Sequence, residues 1–237
     1  MLPECLPVGD DCAIVPNDPR GRPGEVPPFA ACSGVLVSDV SPVFVTAAHC
    51  IDFFDNLIVV RSGVHFATQY DPADPPRLIP VQSYARHPDY SPNSFMNDIG
   101  VVVLKRTPNV ALAELPAAGL LDDMKAAGTI EGQSFVGVGY GCAPTPNAQM
   151  ACPYDGVRRS GVFQFRALAS DWLLLSNRSG AGMCTGDSGG PLFVGGSDTE
   201  AALMSWEDTQ CRASAFGIRL DTRSARAFLA DWIAGSD

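Results

Sequence analysis

Apolar positions in this chain fall in short runs, most of them alternating with polar residues, and Gly, Pro or Asp interrupts them before a helix could grow. That rhythm predicts strands at 34–37, 43–46, 57–61, 78–85 and 99–104, and a second group at 131–139, 162–168, 172–175, 191–194, 201–206 and 216–219. Residues 116–128 read as the crossover between the two groups. Residues 222–234 carry apolar side chains near helical spacing, with Asp221 or Thr222 placed to cap them. Residues 1–28 are rich in Pro, Gly and Asp and are expected to wrap the surface. The predicted class is all-β and antiparallel, closed by one C-terminal helix.

Composition agrees with many short strands joined by turns: 20 prolines and 23 glycines stand among 237 residues, and 46% hydrophobic content is ample for a core. A net charge of −10 argues against nucleic acid and anionic membrane surfaces as partners. No apolar run reaches the roughly 18 residues of a membrane span. Met1-Leu2-Pro3-Glu4 has neither the basic start nor the apolar stretch of a signal peptide, yet eight cysteines point to an oxidising compartment. A secreted protein whose leader is already removed, with Met1 an added start, reconciles the two. The cysteines are too widely spaced for a metal site, so no metal or cofactor is expected, and a monomer is the default.

Residues 184–191 read Cys-Thr-Gly-Asp-Ser-Gly-Gly-Pro. A Ser among glycines, with a Gly two positions before it, can leave two backbone N–H groups facing one small space. That suits a hydroxyl nucleophile, Ser188, whose reaction develops an oxyanion held by Gly186 N–H and Ser188 N–H. The hydroxyl needs a base, and the chain has three histidines. His65 lies in a strand-like Val-His-Phe and His87 in a turn-like Arg-His-Pro-Asp, where ordinary structural roles suffice. His49 follows the apolar run Phe-Val-Thr-Ala-Ala and precedes Cys50, which could anchor it. The base in turn needs a carboxylate to fix its tautomer, and Asp98 stands at the mouth of the apolar run Ile-Gly-Val-Val-Val-Leu.

With these motifs in hand, the chain resembles the trypsin-like, chymotrypsin-fold serine proteases. Cys32-Ser-Gly-Val-Leu-Val-Ser is similar to that family's Cys-Gly-Gly-Ser-Leu-Ile-Ser strand. Residues 44–50 resemble its histidine motif, Asn97-Asp98-Ile99 its aspartate motif and 186–191 its serine motif, in the order His, Asp, Ser. Ser205-Trp206 resembles the strand lining the substrate cleft, and 228–233 the closing helix. The resemblance implies two packed six-stranded antiparallel β-barrels, about 29–115 and 129–221, with the triad between them. It implies Ser188 as nucleophile, His49 as general base and acid, Asp98 as orienter and Ser205 as support for that Asp. It also implies disulfides Cys32–Cys50 and Cys184–Cys211. Proximity suggests Cys142–Cys152 and Cys5–Cys12, although four cysteines allow three pairings.

Departures from the family's pattern bear on substrate and activation. The pocket-floor position is Gly182, so the acid that trypsin-like Lys/Arg specificity needs is missing, and Met183 beside it narrows or greases the base. The wall after Ser205-Trp206 is Glu207 where Gly is usual, while Gly217 keeps the opposite wall. Glu207 could fill the pocket mouth, offer a carboxylate to basic side chains, or swing into solvent. Asp187 is present, but no Ile-Val-Gly-Gly precedes Cys32 to supply the ammonium that pairs with it in the family. An internal Arg or the main chain is expected in that role, with activity independent of an activation cut. Asp71 and Asp74 could form a calcium loop or a solvated turn, and Asn177-Arg178-Ser179 fits the glycosylation acceptor pattern. The resulting expectation is a secreted serine endopeptidase acting on protein or peptide substrates, with protein protease inhibitors as further partners. A catalytically silent, protease-like binding protein and an esterase using the same triad are the alternatives.

Overall fold

The computed structural model describes residues 4–8, 11–15, 32–51, 63–64, 66–69, 79–142, 156–177, 182–207, 211 and 214–233, and for 4–8, 11–15, 63 and 207 the backbone alone. The expected strand at 57–61, His65, Asp71, Asp74, Cys152, Arg178, Ser179 and the side chains of Cys5, Cys12 and Glu207 lie outside the described residues.

Among the described residues the first half forms a seven-stranded antiparallel sheet, where a six-stranded one is expected. It comprises β1 (Glu4–Val8), β2 (Asp11–Val15), β3 (Val35–Leu36), β4 (Val43–Thr46), β5 (Gly63–Val64), β6 (Ile79–Arg86) and β7 (Gly100–Leu104), in the order β1-β2-β3-β4-β7-β6-β5. Strands β1 and β2 form a hairpin within the stretch expected only to wrap the surface. It joins the sheet where Asp11 pairs with Val35. All four residues of β4 are buried, because this central strand is covered on both faces.

The second half is a closed six-stranded barrel of β8 (Ser134–Gly139), β9 (Arg159–Leu168), β10 (Trp172–Ser176), β11 (Pro191–Val194), β12 (Glu200–Glu207) and β13 (Ser214–Arg219), in the order β10-β13-β12-β11-β8-β9. In β8 buried and half-buried residues alternate along the strand, the period-two pattern of a wall with one face inward. Phe135, Leu173, Leu192, Ala202 and Met204 fill the interior.

The crossover contains a short helix, α1 (Leu120–Ala126), begun at Gly119 without a side-chain cap of its own. Asp221 supplies one from a distance: its Oδ2 accepts Leu121 N–H at 2.8 Å. Asp221 and Asp122 in turn hold Arg219, whose guanidinium is 3% exposed and donates to both at 2.7–2.9 Å. The closing helix, α2 (Arg223–Ile233), is capped by Thr222, whose Oγ1 accepts Ala225 N–H at 3.2 Å. Eleven residues make a marginal helix in water. Burial of Ala225, Phe228 and Leu229 on one face, about 1.5–3 kcal/mol for each of the two large side chains, holds it down. His87, buried, reaches the same helix: its Nε2 lies 3.0 Å from Ser224 Oγ and its ring packs on Phe228. Its role is structural, as expected.

Candidate active site

Asp98 is delivered by a tight loop that ends where β7 begins. Two side-chain-bearing residues in this loop, Phe95 and Asn97, have φ of 55° and 51°, a left-handed conformation that costs on the order of 1–3 kcal/mol for a bulky residue. The loop is kept by Phe95 N–H to Ser91 O at 2.8 Å, Ile99 N–H to Asn97 O at 2.7 Å and Asn97 Nδ2 to Asp89 O at 3.3 Å. The result turns the Asp98 carboxylate inward, fully buried. It accepts His49 N–H on Oδ1 at 2.9 Å, and His49 Nδ1–H at 2.7 Å and Ser205 Oγ–H at 2.5 Å on Oδ2. Three donors satisfy a buried carboxylate that would otherwise be prohibitively desolvated. The same geometry puts the imidazole proton on Nδ1 and leaves Nε2 as the proton acceptor.

The main chain of Ser188 is held against the first half of the chain. Its carbonyl accepts Ser33 N–H at 2.7 Å and lies 3.6 Å from Cys50 Sγ, in the residue next to His49. The Cys32–Cys50 disulfide forms as expected. Gly189, at φ 83°, is pressed so closely on Thr46, Ala47 and Ser33 that no Cβ would fit. In this loop the outward peptide oxygens are all engaged: Thr185 O by Cys142 N–H at 3.0 Å and Asp187 O by Gly190 N–H at 2.9 Å. Peptides here are trans, so each engaged oxygen turns the N–H of the next residue the other way. Those are Gly186 N–H and Ser188 N–H, and among the described residues neither is hydrogen-bonded.

Asp187, between them, points its carboxylate away, against Gly139 and Gly141, where any Cβ would collide with it. Oδ1 accepts Gly141 N–H at 2.6 Å and Oδ2 accepts Cys184 N–H at 2.9 Å. Burial nevertheless pushes its pKa up to about 6, while those two N–H groups and the charge of Arg159 pull the other way. Of the two kinds of partner expected, the main chain makes the hydrogen bonds.

The substrate-side residues divide. The Cys184–Cys211 disulfide forms as expected, and Gly182 N–H bonds Cys211 O at 2.8 Å. Cys142 is disulfide-bonded to a partner outside the described residues, its Sγ 3.3 Å from Cys184 Sγ. Met183 is buried in the core of the barrel. Gly217 faces the barrel interior, where a Cβ would meet Leu192 at 2.6 Å and Ala202 at 3.0 Å. Trp206 is half-exposed and packs on Phe216 at 4.6 Å between ring centres. Together with Phe95, Trp172 and Leu174 these rings line an apolar cleft of about 340 Å³. Phe95 also touches the His49 ring edge-on, at 5.6 Å. Phe95, Trp172 and Phe216 are not among the site residues read from the sequence, since no local pattern brings them together. Asn177 is buried, which does not suit a glycan acceptor.

The Trypsin family model matches residues 23–233. A trypsin from Sarcophaga bullata is 26% identical over 250 residues, covering 92% of this chain and 93% of that protein. Among solved structures, HL collagenase aligns with a TM-score of 0.65 at 15% identity, covering 87% of each chain. Human heparin binding protein aligns with a TM-score of 0.63 at 19% identity, covering 93% of this chain and 94% of that one. At such identities the solved structures support the fold, and chemistry must be argued from the site.

Proposed function

The chain belongs to the trypsin family, and from that premise we propose that it is a working serine endopeptidase with Ser188, His49 and Asp98 as its catalytic residues. The observation that carries the reading is the coincidence of two arrangements: a buried Asp98 fixing the His49 tautomer, and two unpaired N–H groups at Gly186 and Ser188 in the loop that carries the serine. In the reaction, Ser188 Oγ attacks the scissile carbonyl carbon as its proton passes to His49 Nε2. The carbonyl oxygen becomes an oxyanion received by Gly186 N–H and Ser188 N–H. The C–N bond then breaks as His49 returns the proton to the leaving amine, giving an acyl-enzyme. Water, deprotonated by the same Nε2, attacks the acyl carbon; the C–Oγ bond breaks as His49 returns that proton to Ser188 Oγ, releasing the acid.

The apolar cleft beside His49 favours peptides with apolar or aromatic side chains on the acyl side of the bond. Gly182 brings no carboxylate to the pocket floor, so selection for Lys or Arg through that position is not proposed. The main-chain partners of Asp187 support activity without a newly cut ammonium terminus, and N-terminal sequencing of active protein tests that part. Secretion suits the disulfides, and the substrates are proteins or peptides.

Stoichiometric labelling of Ser188 by a fluorophosphonate, lost in Ser188→Ala, is the expected result. An unlabelled, folded protein would instead assign a silent binding scaffold. Cleavage of a peptide panel would separate peptidase from esterase: hydrolysis of activated esters alone would remove the endopeptidase reading.

A further inference from the structure

Resting on the endopeptidase reading, we propose that the Ser33 hydroxyl is a positioning residue for the oxyanion site. It latches the peptide that lies between the two donor peptides. Ser33 stands where the related strand motif has Gly, and it is fully buried. Its Oγ–H donates to Gly186 O at 2.8 Å, and its Oγ accepts Tyr140 N–H at 3.4 Å. Its own backbone is held at both ends, N–H on Ser188 O at 2.7 Å and C=O on Thr46 Oγ1 at 2.7 Å. Through Thr46 on β4, Ser33 offers a fixed point outside the loop.

The loop it grips needs one. Gly186 has φ 101°, a region that glycine enters without steric cost and leaves as easily. Gly186 N–H belongs to the peptide before Gly186, and Ser188 N–H to the peptide after Asp187. The outer two peptides are held by Cys142 and Gly190. The central one, Gly186–Asp187, is held by Asp187 N–H on Cys184 O at 2.9 Å and by Ser33. Rotation of that central unit would swing one donor away from the other and spoil their convergence on a single oxygen. Removing the hydroxyl also takes the donor from Gly186 O and one acceptor from Tyr140 N–H.

The test compares wild type, Ser33→Ala and Ser33→Thr. The readouts are kcat and KM on a peptide substrate, the affinity of a peptide boronic acid whose tetrahedral adduct with Ser188 Oγ presents an oxygen to the site, and the thermal midpoint. The alanine variant is expected to lose kcat and boronate affinity in parallel, by about 10- to 100-fold, with KM within about twofold. The threonine variant, which keeps the hydroxyl, is expected to retain both. If the alanine variant does not fold, Ser33→Gly, which also lacks the hydroxyl, takes its place. Unchanged kcat and boronate affinity, a loss confined to KM, or an equal loss in the threonine variant would overturn the assignment. A wild type that fluorophosphonate does not label defeats the endopeptidase reading itself. A labelled wild type with an unimpaired alanine variant defeats the Ser33 inference alone.

Discussion

Ser205 reaches from the barrel to Asp98 on the first sheet, placing its hydroxyl 2.5 Å from Oδ2, the same oxygen that holds His49 Nδ1. The two donors share one acceptor but have unequal duties. Asp98→Asn presents a donor to the imidazole and selects the wrong tautomer, so kcat should fall by about four orders of magnitude. Ser205→Ala removes one supporting hydrogen bond and should cost about 10- to 100-fold. Steady-state kinetics on both variants decide the matter, and equal losses would contradict the assigned roles.

Asp187 should make stability depend on pH in an unusual direction. Its folded pKa, about 6, lies above the ordinary 3.8, so between those values the folded state keeps a proton that the unfolded state has released. The contribution is fully present below pH 3.8, declines as pH rises and is gone above about 6. The gap corresponds to roughly 3 kcal/mol. Denaturant melts across that window should show the decline. Asp187→Asn should flatten it, and should lower kcat because an amide cannot accept both Gly141 N–H and Cys184 N–H.

Glu200 is a second buried carboxyl, fully enclosed at the start of β12, and among the described residues neither of its oxygens has a hydrogen-bond partner. Burial holds its pKa well above the ordinary 4.5. Stability is again lost as pH rises from 4.5 through the raised folded value. Glu200→Met removes the ionisation cost and should raise the thermal midpoint at neutral pH by several degrees, about 1–3 kcal/mol, with activity unchanged. A lower midpoint would show that the carboxyl has a favourable partner.

Arg219 is nearly enclosed, and its loss would leave Asp221 buried with Leu121 N–H as its remaining donor. Arg219→Met should cost about 3–5 kcal/mol, measured as a drop in denaturant midpoint. Replacing Asp122, which is 65% exposed, should cost far less.

Much of this was legible from local pattern. Strands β4 and β11 begin and end where the pattern puts them, because Pro42 and the Gly189-Gly190 pair punctuate apolar runs. Strand β9 starts three residues earlier than expected: Arg159, Ser160 and Gly161 have no apolar rhythm and are strand because β8 lies alongside. The β1–β2 hairpin was hidden for the same reason, its Pro and Asp residues reading as turn until β3 supplies an edge. In α1, Leu-Leu-Asp-Asp-Met-Lys-Ala is good helix material, but its cap comes from Asp221, 100 residues away. The triad candidates could be found by motif and order. The aromatic cleft and the Ser33 latch could not, since each joins residues whose proximity exists only after both halves have docked.

The crowding of Gly189 against Thr46 and Ala47 has a bearing on how the protein would fail. The nucleophile's loop belongs to one half and is seated against the wall of the other, with no slack between them. Any condition that loosens the seam should silence the proposed activity while both halves still keep their strands. Loss of fluorophosphonate reactivity should therefore precede loss of the β-sheet circular dichroism signal on mild denaturation, so that catalysis serves as the most sensitive gauge of docking.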